Sequence, residues 1–238
     1  VAEVASAPVL ELRNVRRSFG GVKAVDGVTL AIAAGGAVAL IGPNGAGKST
    51  LFALMMGELA PSAGEIRLDG RDVRRLSAQA RARAGIGRTF QTPRLFAGLS
   101  VRENIAAAAA LTEAELASAL GEVGLYERRD ALASTLSQGQ RKRLELAMVL
   151  APRPRVLLLD EPTAGMGVAE RAAIMALVMD VVRRRGLTIF FSEHDMETVF
   201  AHARRVVVMD RGAIVADGTP AQVRADPDVQ RIYLGEPS

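Results

Sequence analysis

The sequence predicts an α/β fold with a mainly parallel sheet, an antiparallel β subdomain and an inserted helical subdomain. Three observations carry that expectation. Short apolar runs at residues 37–41, 156–160, 187–192 and 206–209 have the length of strands buried on both faces, and helical patterns separate them. Residues 9–15 and 64–70 instead alternate apolar and polar side chains, as half-buried strands do. From about Thr92 to Ala151 no strand pattern appears. One domain over residues 1–238 follows, with the core and β subdomain in 1–91 and 152–238 and the helices in about 92–151.

In chain order, residues 9–15 and 24–32 read as strands joined by a turn at Phe19-Gly-Gly21, and 37–41 as a buried strand. A helix follows over residues 51–56, then an alternating strand at 64–70 between glycines. These early segments look antiparallel, a small β layer around strand 37–41. Residues 77–84 form a short helix and 85–91 return to a core strand. Residues 101–110, 113–123 and Gln138–Leu150 read as helices; the alanine run at 106–110 is strongly helical and carries no chemistry. Strand 156–160 leads to a helix over Val168–Arg185. Its three final arginines complement the helix dipole ahead of Gly186. Strands at 187–192 and 206–209 flank a helix near 196–203, residues 212–218 make an edge hairpin, and Thr219 onward is helical. Strands alternating with helices imply the parallel sheet.

Composition narrows the function classes. The 238 residues hold no cysteine, which excludes a disulfide framework and a cysteine-ligated metal and fits a reducing cytosol. Val1-Ala-Glu-Val-Ala-Ser-Ala-Pro8 has neither a basic segment nor an apolar core, so no secretory signal is expected. No apolar run approaches the roughly 18 residues of a spanning helix. The net charge of +4 rests almost wholly on arginine, since only Lys23, Lys48 and Lys142 are lysines among 30 basic residues. Those arginines are scattered among acids and aromatics are 4%, too few for a base-stacking platform, so no nucleic-acid partner is expected.

Gly42-Pro-Asn-Gly-Ala-Gly-Lys-Ser-Thr50 fits the phosphate-binding loop G-x-x-x-x-G-K-[ST], with a strand before it and a helix after it. A chance match in a chain of this length is on the order of one in a hundred. Gly42, Gly45 and Gly47 let the backbone turn its N–H groups inward, and the helix that follows favours an anion at its N-terminus. Asn44, Ala46 and Thr50 complete the loop. Lys48 is expected on the β- and γ-phosphates of a nucleoside triphosphate, and the Ser49 hydroxyl on Mg²⁺.

Asp160-Glu161 closes an apolar strand, the position where α/β sheets place ligands. Asp160 is expected to hold Mg²⁺ through water, and Glu161 to be the base that deprotonates the attacking water. Many strands end in acids; the phosphate loop upstream gives this pair its meaning.

Leu136-Ser-Gln-Gly-Gln140 is similar to the L-S-G-G-Q signature of ABC-type ATPases, and Arg141-Lys-Arg-Leu-Glu-Leu-Ala147 and Asp160-Glu-Pro-Thr163 fit the same family. The resemblance runs over essentially the whole chain and implies a P-loop NTPase (RecA-like) core in the ABC ATPase fold. It implies head-to-tail pairing with a second ATPase subunit, identical or paralogous. Ser137, Gln138, Gly139 and Gln140 of one copy would then face the ATP held by the other. Ser137 is equally an ordinary N-cap for helix Gln138–Leu150. Gln91 matches the glutamine that contacts Mg²⁺ and joins core to helical subdomain, and His194 the histidine that contacts the γ-phosphate. His202 reads as structural. Phe19 stands where the family places an aromatic on adenine, and a turn or core role is equally open. Ala164-Gly-Met-Gly167 occupies the D-loop. Gln138 replaces a signature glycine, Phe19 the commoner tyrosine and Gly167 the usual D-loop aspartate.

Arg88-Thr-Phe-Gln91, Ala164-Gly-Met166, Glu193-His-Asp-Met196 and the C-terminal Asp226-Pro-Asp-Val-Gln-Arg-Ile-Tyr-Leu-Gly-Glu236 resemble the branched-chain (hydrophobic) amino-acid importer ATPases. The resemblance implies a subunit peripheral on the cytoplasmic face of the cell membrane. Its partners would be transmembrane permease subunits, docked beside Gln91-Thr-Pro-Arg-Leu-Phe96, and a solute-binding protein. Lipopolysaccharide-export and urea-uptake ATPases are the rival readings within the family. A soluble, non-transport ABC ATPase is a third.

Overall fold

The structure is a computed structural model that describes residues 7–234. Residues 1–6, read above for a secretory signal, and Gly235-Glu236 of the C-terminal motif lie outside the described residues.

Strands β1 (Pro8–Phe19), β2 (Val22–Ala33), β4 (Ala63–Leu68) and β5 (Arg71–Asp72) form one antiparallel sheet in the order β2-β1-β4-β5. Strands β3 (Ala37–Ile41), β6 (Ile86–Thr89), β7 (Val156–Asp160), β8 (Thr188–Ser192), β9 (Arg205–Asp210) and β10 (Ala213–Gly218) form a second sheet in the order β10-β9-β3-β8-β7-β6. Its pairings are parallel except at the β10 edge.

The antiparallel strands do not flank β3, as the sequence reading had them; β3 pairs only with β8 and β9. The reason lies in how the strands divide their side chains. Ala37, Ala39 and Ile41 of β3 face one core with Leu157 and Leu159 of β7, Ile189 and Phe191 of β8, and Val206 and Val208 of β9. Val38 and Leu40 face the other, with Val156, Leu158, Phe190, Val207 and Met209. Both faces of the central sheet are therefore buried, which is why these strands read as continuous apolar runs. The first core is closed by helices and the second by α1 (Lys48–Met56) and the antiparallel sheet. Strands that alternate in sequence cover that face as a separate layer, with one side in the core and one in water.

Helices α3 (Val101–Ala108), α4 (Glu113–Glu122) and α5 (Gln138–Leu150) come between β6 and β7 in the chain. Each begins with a capping box, at Ser100, Thr112 and Ser137. Helices α2 (Ala78–Arg83), α6 (Val168–Arg185), α7 (Met196–His202), α8 (Pro220–Ala225) and α9 (Pro227–Leu234) complete the chain. The reading missed the two-residue β5 and two short 3-10 turns, Tyr126–Arg128 and Ala133–Thr135, which are too short to carry a hydrophobic period.

One buried charge anchors α1 from behind. Arg81 of α2 is fully buried, and its Nη1 donates to the carbonyls of Leu54 at 2.6 Å and Met55 at 2.8 Å. A cation there satisfies the last carbonyls of α1 and complements its dipole. Burial pulls the Arg81 guanidinium below the ordinary arginine pKa, and Asp72 opposes the shift. Replacing Arg81 by Met strands those carbonyls in the core. Urea unfolding of Arg81→Met should show a loss of about 2–4 kcal/mol; stability equal to the unsubstituted chain would show that the guanidinium does not carry this end of α1.

Candidate nucleotide site

Helix α1 starts with neither a side-chain cap nor an acid in its first turn; α6 also lacks a side-chain cap, at Gly167, but carries Glu170 in its first turn. α2, α3, α4, α5, α7 and α8 each receive a side-chain cap, whereas α1 begins at Gly47 without one. Gly47 sits at φ 103°, and a Cβ there would run into the Ala24 carbonyl. The N-terminal N–H groups of α1 are thus left for an external anion.

Lys48 lies beneath them at 7% exposure, its Nζ donating to the carbonyls of Gly42 at 2.6 Å and Pro43 at 3.1 Å. Burial pulls its pKa below the ordinary lysine value, while Glu161 and Asp160 push it back. A buried ammonium resting on neutral carbonyls gains most from a polyanion. The loop opens on a cleft of about 440 Å³ lined by Val22, Lys23, Ala24, Asn44, Gly45, Ala46, Gly47, Lys48, Ser49, Thr50, Glu161 and Arg211. That volume lies within the range of small-molecule pockets.

Gln91, Glu161 and His194 come from the carboxyl ends of three adjacent strands, β6, β7 and β8. Glu161 accepts from Gln91 Nε2 at 2.8 Å through one carboxylate oxygen, and its other oxygen lies 2.6 Å from His194 Nε2. Its backbone is left-handed, at φ 48°, a conformation that costs of order 1–3 kcal/mol for a residue with a Cβ.

Asp160 is 7% exposed. Ser192, its register partner across β7 and β8, donates its hydroxyl to Asp160 Oδ1 at 2.9 Å and accepts the Glu161 N–H at 3.1 Å. Arg88 reaches Asp160 Oδ2 at 3.3 Å and Glu58 at 2.6 Å. The reading assigned no role to Ser192 or Arg88. Their signal is pairing across the sheet, invisible along the chain. Ser49, Gln91 and Asp160 supply hydroxyl, amide and carboxylate oxygens, a hard donor set that suits Mg²⁺ holding several waters. Among the described residues no three His, Cys, Asp or Glu are placed to hold a metal ion together.

Phe19 stands apart. It is exposed at the end of β1 with the Arg17 guanidinium 4.7 Å from its ring centre, and Val22–Ala24 rather than Phe19 line the cleft. Ser137–Gln140 do not line it either. Ser137 caps α5, Gly139 is pressed against the Glu170 carboxylate, and Gln138 Nε2 donates to the Ala164 carbonyl at 3.3 Å. The glutamine that replaces the signature glycine thus ties signature to D-loop within the chain. His202 is partly buried, and that burial lowers its pKa below the ordinary histidine value.

Glu193, beside the site, is 5% exposed and accepts from the Thr163 N–H at 3.1 Å and hydroxyl at 2.7 Å. Burial raises its pKa above the ordinary 4.5, and the Thr163 bonds oppose the rise. A raised acid binds more protons folded than unfolded, so its contribution to stability is present below about pH 4.5 and lost as pH rises through the folded value. Glu193→Gln keeps the acceptor and removes the titration. Urea midpoints at about pH 4 and about pH 7 should therefore shift in favour of the variant on going up in pH; a difference independent of pH would contradict the burial argument.

Comparison with known proteins gives the following. A family model described as ABC transporter matches residues 25–164, and one described as branched-chain amino acid ATP-binding cassette transporter matches residues 213–237. The chain is 39% identical to BraF, the high-affinity branched-chain amino acid transport ATP-binding protein of Pseudomonas aeruginosa, over 97% of this chain and 99% of that one. It is 34% identical to LptB, the lipopolysaccharide export system ATP-binding protein of Escherichia coli, over 95% and 97%. An ATP-binding cassette of an ABC transporter in its ADP conformation superposes with a TM-score of 0.88 at 29% identity, over 97% of this chain and all of that one.

Proposed function

The chain belongs to the ABC transporter ATP-binding family, and from that premise we propose that it powers import of branched-chain or other hydrophobic amino acids. It is an ATP-hydrolysing transporter subunit, and no helix among the described residues is long and apolar enough to cross a membrane. In this reading the work it powers is done through transmembrane permease subunits, with a solute-binding protein delivering cargo, as family membership implies. The match at residues 213–237 and the BraF likeness favour amino acids as that cargo. The LptB likeness keeps lipopolysaccharide export as the second reading.

The observation that carries the hydrolytic reading is Glu161 at the mouth of the phosphate-loop cleft, held by Gln91 and His194. The loop N–H groups and Lys48 bind the β- and γ-phosphates. Ser49, Gln91 and Asp160 would hold Mg²⁺, which when bound would neutralise phosphate charge. Glu161 takes the proton of the water that attacks the γ-phosphorus, as ADP leaves with the β–γ bridging oxygen. His194, donating from Nε2, orients that carboxylate and contacts the γ-phosphate. Phe19 or the Val22–Ala24 segment borders the adenine. Ser137–Gln140 close on the nucleotide of a partner copy, where the first turn of α5 offers its own N–H groups to the γ-phosphate.

Glu161→Gln should bind ATP as the unsubstituted chain does and lose phosphate release by a factor of about 100 or more. Hydrolysis at the original rate would remove Glu161 as the base. Placed in the source organism, the same substitution should abolish uptake of labelled leucine; normal leucine uptake with altered surface lipopolysaccharide would select the export reading.

A further inference from the structure

Strand β6 ends at Thr89, the last residue in register with β7. One residue later the chain is held by a helix instead. The Phe90 N–H donates to Glu145 Oε1 at 2.9 Å, and Lys142 Nζ donates to the Phe90 carbonyl at 2.6 Å. Lys142 and Glu145, one turn apart on α5, also pair with each other at 2.8 Å, with side chains only 5% and 4% exposed. The Phe90 ring is fixed as well, with the Arg88 and Arg94 guanidinium carbons 5.1 and 3.9 Å from its centre.

A buried ion pair is a weak source of stability, because desolvation offsets the attraction and apolar replacements are often neutral. This one does something an apolar pair cannot. It presents a donor and an acceptor side by side, as a neighbouring strand would, and so sets the direction of the backbone where the sheet has stopped. The next side chain is Gln91, whose amide reaches Glu161. The same helix begins at Ser137, Gln138 and Gly139.

We infer that Lys142 and Glu145 are positioning residues for Gln91, clamping the Phe90 backbone to α5 so that the Gln91 amide and the signature turn move as one body. The inference rests on the role given to Gln91 above. It makes the glutamine that serves one nucleotide and the signature that serves the other parts of a single rigid lever, with the buried pair as the joint.

The test is a double-mutant cycle on the full chain with ATP. Lys142→Met with Glu145→Leu keeps side-chain bulk and removes the clamp. It should lower kcat by about ten- to a hundred-fold with KM for ATP unchanged, and Lys142→Arg, which keeps the donor, should restore most of the rate. In a Gln91→Ala background the same pair should change kcat less than about twofold, because the positioned group is gone. An equal loss in both backgrounds would make the pair merely structural and overturn the inference. A silent Gln91→Ala would remove the Gln91 reading itself, and this inference with it. Hydrogen exchange of the unsubstituted chain needs no variant to fold. The Phe90 amide should be as protected as the amides of β6, and fast exchange there would equally overturn the clamp.

Discussion

The register of three neighbouring parallel strands is the constraint on which the site depends. β6, β7 and β8 end side by side, and the residues just beyond them are Gln91, Glu161 and His194. A slip of one residue in any of them would turn that strand's side chains to the wrong face. The slip is prevented by burial on both faces, since each strand commits alternate residues to two different cores. The polar ends of these strands are locked in turn, with Ser192 joining Asp160 to the Glu161 backbone across the sheet. Packing fixes the register, and the register assembles the carboxylate.

Beside this carboxylate lies a helix with charge arranged at both ends. The N-terminus of α1 lacks a side-chain cap and sits over the buried Lys48, while its C-terminal carbonyls are satisfied by the buried Arg81. One end is finished by the protein and the other is left open to an anion. Binding can then draw on N–H groups and an ammonium that are already in place, with little reorganisation.

Most of the fold was legible because its signals are local. Helix α5 carries its start signal at Ser137 and α6 its stop signal at Arg183–Arg185 and Gly186, and β3, β7 and β8 are apolar runs bounded by Gly or by polar residues. The phosphate loop and Asp160-Glu161 were legible because their chemistry lies in a few consecutive residues. The separate antiparallel sheet was misplaced around β3, since pairing partners are chosen in three dimensions. Ser192, Arg88 and the Lys142–Glu145 pair were not singled out for the same reason, because each bonds to a residue 32 to 72 positions away or to a distant backbone group. Phe19, assigned by resemblance alone, ends outside the cleft lining.

Ser137–Gln140 do not line the cleft of their own chain, and in the proposed function a second subunit supplies them. The most direct measurement is light scattering of Glu161→Gln with and without MgATP. The account predicts a shift from 25.1 kDa to a mass about twice that, as one copy's signature closes on the other's nucleotide. A chain that binds ATP, stays at 25.1 kDa and also fails to pair with a second ATPase subunit would contradict it.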